Sequence, residues 1–153
     1  MRKEAVCAHR FCRLKQRNKG GMVNVFLVED SEIVRKNLQA ILSGISGVAV
    51  AGHAADEAGA MERIGALLPD VVILDLHLQQ GSGFNVLANI KKHHAATKVI
   101  VLSNYANESY ITRCRLAGAD YFFDKSFQFM LVGSVLERLI SPEGLDGEFV
   151  RVG

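Results

Sequence analysis

The sequence predicts a single α/β domain, built on an open, five-stranded parallel sheet with helices on both faces. Three observations support this prediction. Five short apolar runs recur between residues 22 and 140, and amphipathic stretches of helical period separate them. Three of the runs are almost continuously apolar, as strands are when helices cover both faces of the sheet.

The strands and helices can be assigned in order along the chain. The apolar runs cover residues 23–28, 48–54, 71–74, 98–102 and 121–123, and we expect the second and fifth to be edge strands. Helices are indicated by apolar spacing over residues 33–42, 58–68, 84–88, 111–116 and 132–139. Asp30 or Ser31 is placed to cap the first helix, and Pro69 follows the second. Right-handed crossovers favour the flavodoxin-like strand order 2-1-3-4-5.

The composition is that of one ordinary domain. A chain of 153 residues with 49% hydrophobic and 22% charged content can bury a core but has no room for a second domain. No apolar run approaches the length of a membrane span or a signal peptide, so a cytoplasmic location is expected. Cys7, Cys12 and Cys114 are an odd number without framework spacing, which favours free thiols.

The first 21 residues form a basic extension. They contain seven lysines and arginines and one glutamate, a net charge of +6, against −4 in the remainder. Such an arm can contact nucleic acid or anionic lipid, but it lacks helical periodicity. We therefore predict an unstructured extension or an upstream mis-start before Met22, without nucleic-acid or membrane binding. Cys7, His9 and Cys12 supply only three ligands, so a zinc site is not favoured. The predicted domain spans residues 22–140, and residues 141–153 are predicted to be a loose tail.

Polar residues follow the strands at the edge where an open parallel sheet binds ligands. Glu29 and Asp30 end the first strand, Asp75 the third and Ser103 the fourth, and Lys125 follows the fifth. Taken alone, each residue has a common structural explanation: Asp30 as a helix cap, Asp75 as a loop acid, Ser103 as a turn residue and Lys125 as a surface charge. Three converging carboxylates repel one another unless a cation balances them, and Mg2+ suits oxygen ligands. Three carboxylates, a hydroxyl and a lysine at one edge of the sheet together predict a site that accepts a phosphoryl group.

Four segments resemble the response-regulator receiver family in their order and spacing: FLVEDS, VVILDLHLQQGSGFNVL, KVIVLSN and GADYFFDKS. The resemblance covers about residues 22–140. It implies that Asp75 is the phosphoacceptor, that Glu29 and Asp30 hold Mg2+, and that His77 offers its backbone carbonyl to the metal. It also implies that the Ser103 hydroxyl follows the phosphoryl group and that Phe122 is the aromatic switch. Lys125 would be the lysine that pairs with the phosphate.

The resemblance also implies a function. We expect a stand-alone receiver that takes a phosphoryl group from a sensor histidine kinase or phosphotransfer protein and binds a downstream protein effector. Its chemistry would be limited to its own phosphorylation and dephosphorylation, and homodimer formation is left open. The expected signalling surface is the fourth helix, fifth strand and fifth helix. Its candidate contacts are Ile111, Arg115, Ala119 and Val135, although core packing is an equal alternative for Ile111 and Val135.

The sequence departs from the family at three positions. Ser126 stands where receivers usually have proline, which predicts a trans peptide bond and a serine cap on the fifth helix. Gln79 stands where many members have proline, and Asn104 replaces a small residue, which narrows access to the site.

The same residues also bear on rival functions. A phosphatase with an aspartyl nucleophile is not favoured, because His77 stands where the second aspartate is needed. A nucleotide-binding module lacks its motifs GxGxxG and GxxxxGK[ST]. A receiver that docks proteins independently of phosphate, and a fragment of a DNA-binding response regulator, are left open.

Overall fold

A computed structural model describes residues 21–141 and 150–151 of the chain. The strands are β1 (Val23–Val28), β2 (Val48–Ala54), β3 (Val71–Asp75), β4 (Lys98–Ser103), β5 (Tyr121–Asp124) and β6 (Val150–Arg151). The helices are α1 (Glu32–Ser43), α2 (Glu57–Leu67), α3 (Gly83–His93), α4 (Glu108–Leu116) and α5 (Leu131–Ile140). All neighbouring strands are parallel, and their order is β2-β1-β3-β4-β5-β6. The predicted order 2-1-3-4-5 is confirmed for the first five strands.

Alternation along each strand divides the core into two halves. Val72 and Leu74 of β3 face the half that α2, α3 and α4 cover, while Val71 and Ile73 face the half under α1 and α5. All five residues of β3 are buried, and the four that precede Asp75 are apolar, as expected for a strand covered on both faces. Helices therefore cover both faces, as the sequence predicts.

The two edges of the sheet differ from the prediction in one respect. β2 is an edge strand, with partly exposed residues along its length. β5 was predicted to be the other edge strand, and this is wrong, because Tyr121 and Phe122 pair with Val150 and Arg151 of β6. Two residues in a short polar tail carry too little periodic signal to be recognised as a strand.

The helix ends test two capping predictions. Ser31 caps α1, accepting a hydrogen bond from the amide of Val34 at 3.4 Å, as predicted. The predicted cap on the last helix is wrong: α5 begins at Leu131 after Met130, and the amide of Ser126 instead donates to Asp124 at 2.8 Å. A turn over residues 125–130 therefore separates β5 from α5. The described peptide bonds contain no cis bond.

Some predictions lie outside the described residues. These are the character of residues 1–20, the group Cys7, His9 and Cys12, and the tail over 142–149 and 152–153. Within the described residues, no helix combines the length and apolar character that crossing a membrane requires.

Candidate functional site

Three carboxylates meet at the carboxyl edge of the sheet, where the paired strands β1 and β3 end. Glu29 and Asp30 directly follow β1, and Asp75 is the last residue of β3. One oxygen from each side chain lies within 4.8 Å of the other two. Glu29 and Asp75 are only 1% and 6% exposed, and Asp30 is half-buried. The convergence that the sequence predicts for these three side chains is therefore observed.

Lys125 joins this cluster from the far side of β4. Its Nζ lies 2.6 Å from Oε2 of Glu29 and 3.1 Å from Oδ2 of Asp75, and its side chain is 10% exposed. The backbone amide of Lys125 donates to the carbonyl of Ser103 at 2.9 Å, which continues the β4–β5 pairing by one residue. This register directs the lysine into the carboxylate cluster.

Burial and charge shift the protonation of the cluster. Burial raises the pKa of Glu29 and the charge of Asp75 raises it further, against hydrogen bonds from Lys125 and the Ser31 amide that lower it. Burial alone would lower the pKa of Lys125, but the hydrogen bonds and charges of Glu29 and Asp75 outweigh it and hold that pKa above its ordinary value. Lys125 is therefore a cation at neutral pH, and burial drives Glu29 towards its protonated form.

The composition of the cluster fits a hard divalent cation. Three carboxylates meet one lysine, which leaves two negative charges when all four groups are ionised. Mg2+ carries two positive charges and prefers oxygen ligands such as those of Glu29, Asp30 and Asp75. An ion held there supplies positive charge where a phosphoryl group would be transferred.

The loop after β3 is bonded to the same carboxylates. The amide of His77 donates to Oδ1 of Asp75 at 3.0 Å, and the amide of Gln79 donates to Oδ2 of Asp30 at 3.0 Å. Proline, which many receivers have at position 79, lacks an amide hydrogen and cannot make the second bond. This departure from the family pattern therefore adds a contact to the site. The role of the His77 carbonyl as a metal ligand stays a prediction.

Ser103 and Phe122 lie on the same face of the sheet, the one covered by α4. The Ser103 hydroxyl accepts a hydrogen bond from the amide of Tyr105 at 3.0 Å and donates to its carbonyl at 3.3 Å. Both Ser103 and Phe122 are buried, so the ring of Phe122 already lies inside the core. Their roles as phosphoryl-following hydroxyl and aromatic switch stay predictions.

Two features of the site have no recognisable signal in the sequence. The guanidinium of Arg35 donates to the backbone carbonyls of Glu29 at 2.9 Å and Asp30 at 3.2 Å, and so holds the loop after β1. The ring of His77 lies 4.5 Å from that of Tyr105 and 5.6 Å from that of Tyr110, which gives the site an aromatic border. The aromatic contacts join residues from separate segments of the chain, so no local spacing predicts them.

The predicted signalling surface requires a correction. Ile111, Ala119 and Val135 are buried in the core and cannot be surface contacts, while Arg115 is exposed. The core-packing alternative was therefore right for Ile111 and Val135. Large exposed apolar side chains on α4 and in the segment between β5 and α5 are instead those of Leu116 (80%), Phe127 (88%) and Met130 (72%).

Comparisons with known proteins agree with this architecture. The family model of the response regulator receiver domain matches residues 25–136. The chain is 33% identical over 109 residues to the DNA-binding transcriptional activator DevR/DosR of Mycobacterium tuberculosis, covering 71% of this chain and 50% of that protein. It is 38% identical over 98 residues to protein-glutamate methylesterase/protein-glutamine glutaminase 5 of Myxococcus xanthus, covering 63% of this chain and 28% of that protein.

One solved structure is matched over nearly the whole length of its own chain. The response regulator domain of Thermotoga maritima CheB superposes with a TM-score of 0.70 at 28% identity, covering 82% of this chain and 99% of that chain. The present chain spans half or less of the two curated relatives, so their full activities do not transfer to it. The family match spans most of the chain and contains the carboxylate cluster, Ser103 and Lys125. The protein therefore belongs to the response regulator receiver domain family.

Proposed function

We propose that this protein is a receiver in which Asp75 accepts a phosphoryl group from a sensor histidine kinase or phosphotransfer protein, in a Mg2+-dependent reaction. The observation that carries the proposal is the setting of Asp75: its carboxylate lies among the oxygens of Glu29 and Asp30 and 3.1 Å from the ammonium group of Lys125. The phosphorylated form then binds a downstream protein effector. The proposed location is the cytoplasm, with which the free thiol of Cys114 is in keeping.

The chemistry is a phosphoryl transfer between side chains. A carboxylate oxygen of Asp75 attacks the phosphorus of a phosphohistidine, a P–O bond forms as the P–N bond breaks, and the imidazole nitrogen leaves with the bonding electrons. Lys125 is placed to pair with an oxygen of the new acyl phosphate. Attack of water on the same phosphorus returns free Asp75 and inorganic phosphate. These two steps on its own side chain are the only catalysis we propose for the protein.

Acetyl phosphate provides the direct test. Intact-mass analysis of the parent in Mg2+ should show the gain of one phosphoryl group, and Asp75→Asn or added EDTA should abolish it. Asp124→Asn is the matched control, because Asp124 also ends a strand, β5, but its carboxylate accepts a hydrogen bond from the amide of Ser126 instead. An equal mass gain in Asp75→Asn, or with EDTA, would contradict the proposal.

We propose that phosphorylation changes the conformation of the surface formed by α4, β5 and α5. Phosphate at Asp75 draws the Ser103 hydroxyl away from Tyr105, which frees the loop after β4 and changes the surface around Leu116. Beryllofluoride with Mg2+, a phosphate mimic, should shift amide NMR signals of α4 and β5 in the parent and much less in Ser103→Ala. Ser43→Ala, which removes an exposed hydroxyl from α1, should respond like the parent. Shifts confined to the acidic cluster, or unchanged in Ser103→Ala, would contradict this coupling.

Effector binding independent of phosphate is the alternative mode. Comparing effector affinity with and without acetyl phosphate separates the two modes. An unchanged affinity would assign the protein to docking alone.

A second candidate function is control of DNA binding. It is favoured by the similarity to DevR/DosR, which is named as a DNA-binding activator and of which the chain covers half. Fluorescence anisotropy with duplex DNA, using the full chain and a shortened chain that begins at Met22, tests direct contact. Binding by the full chain alone would assign DNA contact to the basic extension, and binding by neither chain would favour a protein effector.

A further inference from the structure

The first residue of α2 is bonded to the loop that leads from β3 to α3. Oε2 of Glu57 accepts the amide of Ser82 at 2.7 Å, and both of its carboxylate oxygens lie 3.2 Å from Nδ2 of Asn85. The backbone amide of Glu57 also donates to the carbonyl of Gln80 at 3.1 Å. Glu57 therefore binds Gln80 and Ser82 of this loop and Asn85 in the first turn of α3, through its backbone and its side chain.

Packing reinforces these bonds. Gly81 has a φ of +86°, and a Cβ atom at this position would overlap the side chain of Glu57. Only glycine combines this backbone conformation with so close an approach. The loop therefore lies directly against Glu57.

The other end of the same loop reaches the acidic cluster. Ser82 forms an isolated antiparallel bridge with His77, and the amide of His77 donates to Asp75. The amide of Gln79 donates to Asp30. Bonded contacts thus connect Glu57 through Ser82 and His77 to the carboxylate of Asp75.

We infer that Glu57 is a positioning residue for the metal and phosphoryl site, because it fixes the loop that carries the His77 carbonyl and the Gln79 amide. The inference rests on the proposed function and adds α2 to the elements that build the site. Groups behind a metal ligand set its orientation and hence the metal affinity. A carboxylate suits this role because its charge-assisted hydrogen bond to a backbone amide is stronger than a neutral one.

The test is the Mg2+ dissociation constant of the full chain, measured by NMR titration of the amide signals. Glu57→Ala should weaken Mg2+ binding about three- to tenfold, less than the loss of a group bonded directly to a ligand. Glu57→Gln keeps an acceptor at the same reach and should remain close to the parent. Glu57→Asp keeps the negative charge, but its shorter side chain does not reach the amide of Ser82. It should therefore weaken Mg2+ binding as Glu57→Ala does. Glu62→Ala, an exposed glutamate on the same helix, should bind like the parent.

The pattern among the variants separates position from charge and from stability. Parental affinity in Glu57→Ala, equal weakening in Glu62→Ala, or weakening in Glu57→Gln but not in Glu57→Asp would each overturn the inference. The unfolding midpoint of each sample shows that the chain is folded during the titration, and the Gln and Asp variants decide the question if Glu57→Ala does not fold. A parent that fails to bind Mg2+ would instead contradict the proposed function.

Discussion

The two ends of the sheet both collect charged side chains, but with opposite balances. At the amino end, Asp120 accepts hydrogen bonds from Lys91 at 2.8 Å, from Lys98 at 3.2 Å and from the amide of Val99 at 2.8 Å. One carboxylate there meets three donors, and the contacts join α3, β4 and the start of β5. The negative charge of Asp120 is therefore more than matched within the chain, by two lysines.

The carboxyl end has three carboxylates and one lysine, which contacts two of them. Its charges are balanced only when a cation or protons are added. The contrast teaches how to separate a structural charge cluster from a functional one. A cluster whose carboxylates are all paired within the chain stabilises the fold, whereas a cluster with unbalanced negative charge can bind a cation.

The largest expected effect comes from removing the lysine at the carboxyl end, compared with removing one of the two lysines at the amino end. Lys125→Ala should lower the free energy of unfolding by about 3 kcal/mol without Mg2+, because two buried carboxylates lose their counter-charge. Mg2+ should restore part of the loss. Lys98→Ala should cost less than about 1 kcal/mol, since Lys91 still pairs with Asp120. Urea unfolding followed by circular dichroism measures both; equal losses, or no recovery in Mg2+, would contradict the contrast.

Removing the carboxylate at the amino end should affect stability alone. Asp120→Ala removes an acceptor that Lys91, Lys98 and the amide of Val99 share, and should lower the free energy of unfolding by about 2 kcal/mol. Asp120→Asn keeps one acceptor oxygen and should lose about half as much. The Mg2+ dissociation constant should equal that of the parent in both variants, and a weakened affinity would show that the two ends are coupled.

Mg2+ itself should distinguish the two ends. At a concentration ten times its dissociation constant, an ion that binds only the folded chain stabilises it by about 1.4 kcal/mol. Asp30→Asn should show a smaller gain at the same concentration, because it removes a ligand charge, whereas Asp120→Asn should gain as much as the parent. Thermal unfolding with and without Mg2+ provides the measurement. Identical gains in both variants would place the ion elsewhere.

The smallest effect concerns pH. Burial raises the pKa of Glu29 above its ordinary value of 4.5, so the unfolded chain releases this proton first as the pH rises. The stability contributed by protonated Glu29 is fully present below pH 4.5 and is lost as the pH rises through the folded-state pKa. In Mg2+-free buffer, Glu29→Gln should lack this decline. Urea unfolding between pH 4 and 7 measures it, and parallel curves for parent and variant would contradict the assignment.

Local sequence was sufficient for most of the fold. Continuous apolar runs marked the central strands, and Ser31 was recognisable as a cap because a cap acts on amides within one helical turn. The meeting of Glu29, Asp30 and Asp75 was also predictable, since parallel strands end at one edge of the sheet. The same local reasoning failed at Ser126, because the turn before α5 binds this residue to Asp124 and delays the helix to Leu131.

By itself the sequence determined the order of the first five strands and the edge of the sheet at which the acidic cluster lies. Only the tertiary structure decided that Lys125 pairs with Glu29 as well as Asp75, and that Glu57 holds the loop after β3. The reason is physical. Strand, helix and cap preferences depend on neighbours within a few residues, whereas a charge pair depends on the register, side-chain direction and burial of segments far apart in the chain.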